Sequence, residues 1–454
     1  MSALPPLDRK LPSDRDWPNP VYSWYVVGVL MLAYTNAYID RQILSLLIEP
    51  IRADLEISDT QVSLLAGIAF TLFYTLLGVP IARLADQKNR KAIIAAGISV
   101  WSAMTAACGL AGNFWHLFLA RIGVGVGEAT LSPAAFSIIA DYFPKHQLAR
   151  AFSVYSMGVY FGAGLAMIIG GMVIRMVVDA GATTLPLIGE IKPWQITFFY
   201  VGLLGLPIFL LILTIREPIR RGLVAAGADD SQNPSSTAAL LAFLRVNKAA
   251  VLYHFLAFSM VGIAITGYMV WTPTLFIRTW GWQAADIGLA YGGIMFVLGT
   301  AGVYSGGYLA DWMEKKGYRD ATLRAACFAA IAAIPFAVAT PLMPNSTMAL
   351  LFLGVTCFLM AVPQGLPAAA LQLITPNSLR AQMTALYFLV GNMLALGFGP
   401  TLVALVTDYA FGDPLDLRYS LSLVSAVVLP LGGVLSYLAL KPFRASRDRA
   451  DSLE

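Results

Sequence analysis

Twelve long apolar runs, parted by short clusters of charge, make up most of the chain. They fall at approximately 22–48, 60–82, 92–111, 117–140, 151–174 and 194–215, then at 250–277, 287–310, 322–342, 347–372, 381–407 and 419–440. A helix needs roughly 20 apolar residues to cross a hydrocarbon core, and a lone backbone segment in lipid satisfies its own polar groups only as a helix. The pattern therefore predicts an all-α integral membrane protein with twelve transmembrane helices. Residues 325–379 hold no charge or histidine, yet Pro341, Pro344, Asn345 and Ser346 sit near the middle. That cluster is a turn signal, so the stretch reads as two crossings.

The longest polar connection runs from about Arg216 to Lys248, with an Asp-Asp-Ser-Gln-Asn-Pro-Ser-Ser tract at its centre, and it parts six spans from six. A repeat supports the same cut. Ala82-Arg83-Leu84-Ala85-Asp86 after span two is echoed 225 residues later by Gly307-Tyr308-Leu309-Ala310-Asp311, and at that offset Gly67 falls on Gly292. Pro133-Ala134-Ala135 is echoed by Pro367-Ala368-Ala369, and Arg150-Ala151 by Arg380-Ala381. The expected organisation is two pseudo-symmetric six-helix bundles, 22–216 and 249–441, joined by a linker at 217–248 and flanked by tails at 1–21 and 442–454. Parallel repeats of this kind place a carrier's site between the halves.

Composition narrows the function. The chain is 58% hydrophobic and 12% charged, against about 45–50% and about 25% for soluble domains, which excludes soluble enzymes and disordered scaffolds. A net charge of +4 gives no reason to expect a nucleic-acid partner. Placement of the charge says more than its sum. With the N-terminus inside, 23 Lys and Arg lie on that side, five lie on the other, and Arg41 and Arg121 fall within spans. That bias predicts a multi-pass cell-membrane protein with both termini cytoplasmic. Residues 1–20 are polar and carry Pro5, Pro6, Pro12, Pro18 and Pro20, so no cleavable signal peptide is expected. Trp24, Trp194, Trp280, Trp282 and Trp312 fall near span ends, as interfacial belts require. Cys108, Cys327 and Cys357 lie in apolar runs without metal or disulfide spacing and read as packing residues.

The segment Ala82-Arg83-Leu84-Ala85-Asp86-Gln87-Lys88-Asn89-Arg90-Lys91 resembles the loop between spans two and three of the major facilitator superfamily, with Ala82 and Asn89 in place of two glycines. Its second copy begins at Gly307 and ends at Gly317 and Arg319. The resemblance covers nearly the whole chain and implies a carrier. Within that superfamily, Asn36-Ala37-Tyr38-Ile39-Asp40-Arg41 and Gly125-Val126-Gly127-Glu128-Ala129 resemble the Spinster branch, whose members are associated with export of sphingolipids or lysolipids. The Asp-Arg pair is also similar to symporters that carry small organic anions with protons; the Gly-Glu-Ala element favours Spinster.

A charge at mid-bilayer costs on the order of 3 kcal/mol and normally faces a partner or a wet cavity. Four such residues, Asp40, Arg41, Arg121 and Glu128, lie deep in spans, all in the first half. Arg121 and Glu128 are seven apart and share one helix face, whereas Asp40 and Arg41 point about 100° apart. Asp40 and Glu128 are the expected proton carriers. Arg41 and Arg121 are expected to hold their carboxylates or to take an anionic cargo group, since a guanidinium stays charged and binds bidentately. The second half offers uncharged polar groups instead, Thr266, Tyr268, Gln364, Gln372, Tyr387 and Asn392, of which Tyr268, Tyr387 and Asn392 are the expected cargo contacts. One charged wall and one apolar wall suit an anionic or zwitterionic amphiphile.

Alternation needs a latch. In the superfamily pattern Asp86 would cap the start of span eleven near Arg380, and the repeat predicts Asp311 against Arg150, with Arg90 in support. His116, His146 and His254 read as surface or interfacial residues, and Arg175 with Asp179 as a helical pair without a transport role. An integral-membrane enzyme would need a nucleophile-base pair or metal cluster, and neither His-Glu-x-x-His nor Gly-x-Ser-x-Gly occurs. A channel has no need of duplicated latch motifs. The expected protein is a monomeric proton-coupled carrier without metal or cofactor.

Overall fold

The computed structural model describes residues 17–180, 183–185, 189–220, 237–376 and 379–452. Eleven of its helical stretches are long and apolar enough to cross a membrane. The remaining span, Pro20–Leu46, is 27 residues long but carries Asn36, Asp40, Arg41 and Gln42 in its second half. With it, the expected twelve-helix, two-bundle architecture stands.

Span starts are set by side chains that satisfy free backbone N–H groups. Asn89, which replaced an expected glycine, accepts from the Ala92 N–H at 2.8 Å and opens Arg90–Cys108. Asn113 and Asn345 cap Phe114–Glu128 and Ser346–Ala361 in the same way, and Ser58 with Gln61 forms a reciprocal box before Asp59–Ala66. Such caps contribute ~1 kcal/mol each.

Other spans are interrupted. Span two breaks at Gly67, between Asp59–Ala66 and Ile68–Gln87. Span four breaks between Phe114–Glu128 and Leu131–Tyr142, and span ten between Ser346–Ala361 and Leu366–Ile374. Spans eight and eleven widen into π-helix at Met295–Gly299 and Met393–Gly397. Irregular backbone at membrane depth survives where it faces protein or a cavity, and π-bulges gather at functional sites.

Some boundaries depart from expectation. The anticipated tail from 442 continues span twelve as Leu417–Asp451, because its basic residues find partners: Arg447 binds Glu314 and Arg449 binds Asn247. The anticipated linker contains a helix, Thr237–Val246, and Lys248 already opens span seven, Lys248–Trp280. The Asp-Asp-Ser-Gln-Asn-Pro-Ser-Ser tract lies outside the described residues. Between spans five and six, Thr183–Leu185 pairs antiparallel with Gly189–Ile191.

Hydrophobic packing differs between the two sides of the membrane. On the side opposite the termini one core runs through both bundles, joining Leu47, Leu65 and Phe198 to Trp271, Phe276 and Tyr291. On the terminal side it divides. Leu30, Trp101 and Ile138 belong to a cluster of the first bundle alone, and Phe255, Leu323 and Phe443 to one of the second. Glycines allow the shared seam: a Cβ at Gly171 would lie 2.9 Å from the Ala285 carbonyl oxygen, and one at Gly67 would lie 2.8 Å from that of Gly397. Of the span-five glycines, Gly164 and Gly171 meet span eight, while Gly158 and Gly162 pack on span one. The halves are thus joined on one side and parted on the other.

Candidate functional site

A cavity of about 330 Å³ lies between the bundles. Among the described residues Arg41 is the one charged side chain in its wall; Tyr38, Gln42, Ser45 and Phe70 stand beside it. The facing wall carries Tyr268, Tyr387 and Asn392, with Thr266, Gln364, Met295 and Met360. Gln372 does not contribute.

The polar groups of that wall are partly committed elsewhere. The Tyr268 hydroxyl donates to the Ala337 carbonyl, so Tyr268 offers the cavity its ring. Thr266 donates to the Ala395 carbonyl at 2.6 Å and ties span seven to the π-helical turn of span eleven.

Glu128 reaches the site because its glycines let span four press inward. A Cβ at Gly125 or Gly127 would come within 2.6 Å of the Phe70 carbonyl oxygen or the Trp101 nitrogen. Arg41 Nε donates to Glu128 Oε2 at 2.6 Å. The guanidinium lies 5.0, 4.5 and 4.7 Å from the ring centres of Tyr38, Phe70 and Tyr74, a cage that favours a desolvated cation by up to about 2 kcal/mol per contact. The Arg41 side chain is 13% exposed, toward the cavity, and that of Glu128 is 0% exposed. Glu128 therefore meets the cavity through Arg41.

The other two charges stand further back. Arg121 was expected to hold a carboxylate or touch cargo, but it is buried and donates to the backbone carbonyls of Leu65, at 3.3 Å, and Asp40, at 3.1 Å. The break at Gly67 leaves the last carbonyls of Asp59–Ala66 without helical partners, and Arg121 satisfies one of them. Asp40 is 1% exposed. Its Oδ2 accepts from Asn36 at 3.3 Å, while its Oδ1 and the Glu128 Oε1 have no partner.

Among the described side chains, the expected latch residues have other surroundings. Arg90 is buried in the first bundle on Asp141 and Glu217. Arg150 lies over the Trp24 ring, Arg380 donates to the Gln372 and Thr375 carbonyls, and Asp311 is exposed. The Asp86 side chain lies outside the described residues, as do those of His146 and Asp179. Of the remaining histidines, His116 sits beside its cap Asn113, whereas His254 is buried.

The opposite side carries a lock that the charge count passed over. Arg278, at the end of span seven, donates through both Nη atoms to Asp59, at 2.6 and 2.7 Å, and through Nε to Glu49 at 2.7 Å. Its side chain is 4% exposed and that of Asp59 is 0%. Arg175 crosses to Asp286 at 3.2 Å. The available signal was one arginine at a span end facing the acids Glu49, Asp54, Glu56 and Asp59.

Residues 30–400 match the Major Facilitator Superfamily model. An MFS-type efflux pump of Mycolicibacterium smegmatis is 26% identical over 427 residues, 94% of each chain. A sphingosine-1-phosphate transporter of Xenopus tropicalis is 26% identical over 475 residues, 98% of this chain and 88% of that one. Among solved structures, a bacterial homolog of the human lysosomal transporter Spinster, inward-facing and unoccupied, aligns with a TM-score of 0.79 at 25% identity, covering 95% of this chain and 99% of its own.

Proposed function

The chain belongs to the major facilitator superfamily and is a membrane transporter, not an enzyme, and from that premise we propose that it is a proton-coupled carrier of an anionic or zwitterionic amphiphile, lysolipid-like or sphingolipid-like. The observation that carries this reading is the cavity itself, with a single cation on one wall and a largely apolar wall opposite. The cargo's anion sits on Arg41, and its chain lies along Met295, Met360 and Tyr387 of the second half.

Arg41 couples the proton to the cargo. The Arg41 charge is balanced by Glu128. A cargo anion arriving there makes a second negative charge in a desolvated space, which raises the proton affinity of Glu128. Conversely, a protonated Glu128 releases the guanidinium to the anion. Proton and anion therefore favour one another's binding, and linkage makes the effect reciprocal. They travel in the same direction. Asp40, one layer behind, exchanges its proton through Glu128; its Oδ1 has no partner.

The joined side with Arg278 and the divided core on the terminal side support an inward-facing state, with both termini in the cytoplasm. In the opposite state Asp86 meets the start of span eleven near Arg380, and Asp311 meets Arg150. Reconstituted flux against a panel of lysolipids, sphingoid phosphates and small organic acids, with and without a pH gradient, tests the reading. Gradient-driven uptake of an anionic amphiphile supports it; uptake of short organic acids alone removes the amphiphile.

A further inference from the structure

His254 is a buried base that the charge cluster leaves unused. It lies one turn before Phe258 in span seven and is 1% exposed. Its ring centre is 4.8 Å from that of Phe258, 5.7 Å from that of Tyr387 and 6.1 Å from that of Phe255. The Pro367 backbone lies beside it, yet neither Nδ1 nor Nε2 completes a hydrogen bond. A neutral imidazole carries one donor and one acceptor, and an unsatisfied buried group needs an explanation. Ser259, Thr272 and Thr274 of the same helix also lack partners. Each of those is one small rotating hydroxyl, whereas His254 sets two fixed nitrogens, neither in bonding geometry, among aromatic rings and the Pro367 backbone.

The residues around it form the wall of the site. Phe258, Pro367 and Tyr387 all line the cavity, so His254 stands one layer behind the second-half wall, with Arg41 on the other. On the neighbouring elements, Leu366–Ile374 has no titratable residue, and Arg380 is turned to the Gln372 and Thr375 carbonyls.

We propose that His254 is a specificity-determining residue that, once the Tyr387 ring turns aside, hydrogen-bonds a hydroxyl on an amphiphile whose anionic group rests on Arg41. A hydroxyl matches a neutral imidazole because each both donates and accepts. This inference rests on the amphiphile reading above and adds the second polar group of the cargo.

The test compares 1-oleoyl lysophosphatidic acid with its 2-deoxy analogue in proteoliposomes of the full chain. The parent protein should show a KM about tenfold higher for the deoxy lipid, the loss of one hydrogen bond. His254→Leu should erase that preference, leave Vmax within about a factor of two, and melt at a higher temperature because it removes two unpaired polar atoms. His254→Asn, which keeps a donor and an acceptor, should retain part of the preference and serves if the leucine variant does not fold. Equal KM values in the parent, or a preference untouched by the leucine variant, overturns the assignment while the amphiphile reading stands. Transport of neither lipid overturns both.

Discussion

The two walls of the cavity belong to repeated bundles yet carry different chemistry. The first half sets Arg41 against Glu128 at 2.6 Å inside an aromatic cage; the second offers Tyr268, Tyr387 and Asn392 and no charge. What the repeat copies is mechanical. The break in span four recurs in span ten, and Pro133 recurs as Pro367, but at the same offset of 234 residues the place of Glu128 is taken by Val362. A second buried charge would have added another desolvation penalty and, if acidic, would have bound Arg41 across the gap and held the halves together. An uncharged wall can part from its neighbour and let a hydrocarbon chain slide.

Removing the cation should break this contrast most severely. Arg41→Ala should reduce anion uptake by more than about 100-fold and destabilise the fold by roughly 3–5 kcal/mol, because Glu128 is left buried and unpaired. Adding Glu128→Gln should recover stability in thermal melts but not transport. Glu128→Gln alone should still exchange labelled anion but lose the pH dependence. Parent uptake should rise as the pH falls, since protonated Glu128 frees Arg41, whereas the variant's should be flat.

On the joined side, Arg278→Ala leaves Asp59 without its bidentate partner and should shift the population toward the other opening. A cysteine placed at Ala285, where Gly171 now packs, should then label about tenfold faster from that side. The second-half wall should give the smallest response. Tyr268→Phe loses only the hydroxyl bound to Ala337, so stability should fall by ~1 kcal/mol in denaturant titration with transport within about twofold. A loss as large as that of Arg41→Ala would show that the Tyr268 hydroxyl itself takes the cargo.

The fold was legible because lipid allows so few alternatives. Apolar runs, the duplicated Leu-Ala-Asp element and the uneven Lys and Arg placed twelve spans in two bundles, and buried charge in one half pointed at Arg41 and Glu128. Adjacency along the chain did not say which neighbour faces the void. Arg41 enters the cavity, while Arg121 is drawn to the carbonyl freed by the break at Gly67, a break that hydropathy does not register. Arg278 was hidden for a related reason: at a span end it counts as loop charge, and only folding brings it to Asp59, 219 residues away. Arg90, Arg150 and Arg380 have other partners here, and the latch pairs are proposed for the opposite state.

Proton movement measured together with cargo exchange tests the shared use of Arg41 most directly. In liposomes carrying an internal pH dye, the parent protein should bring in protons with each anionic amphiphile, and Glu128→Gln should exchange the same lipid without them. Lipid uptake by the parent with no accompanying proton, or proton entry undiminished in Glu128→Gln, would contradict the account.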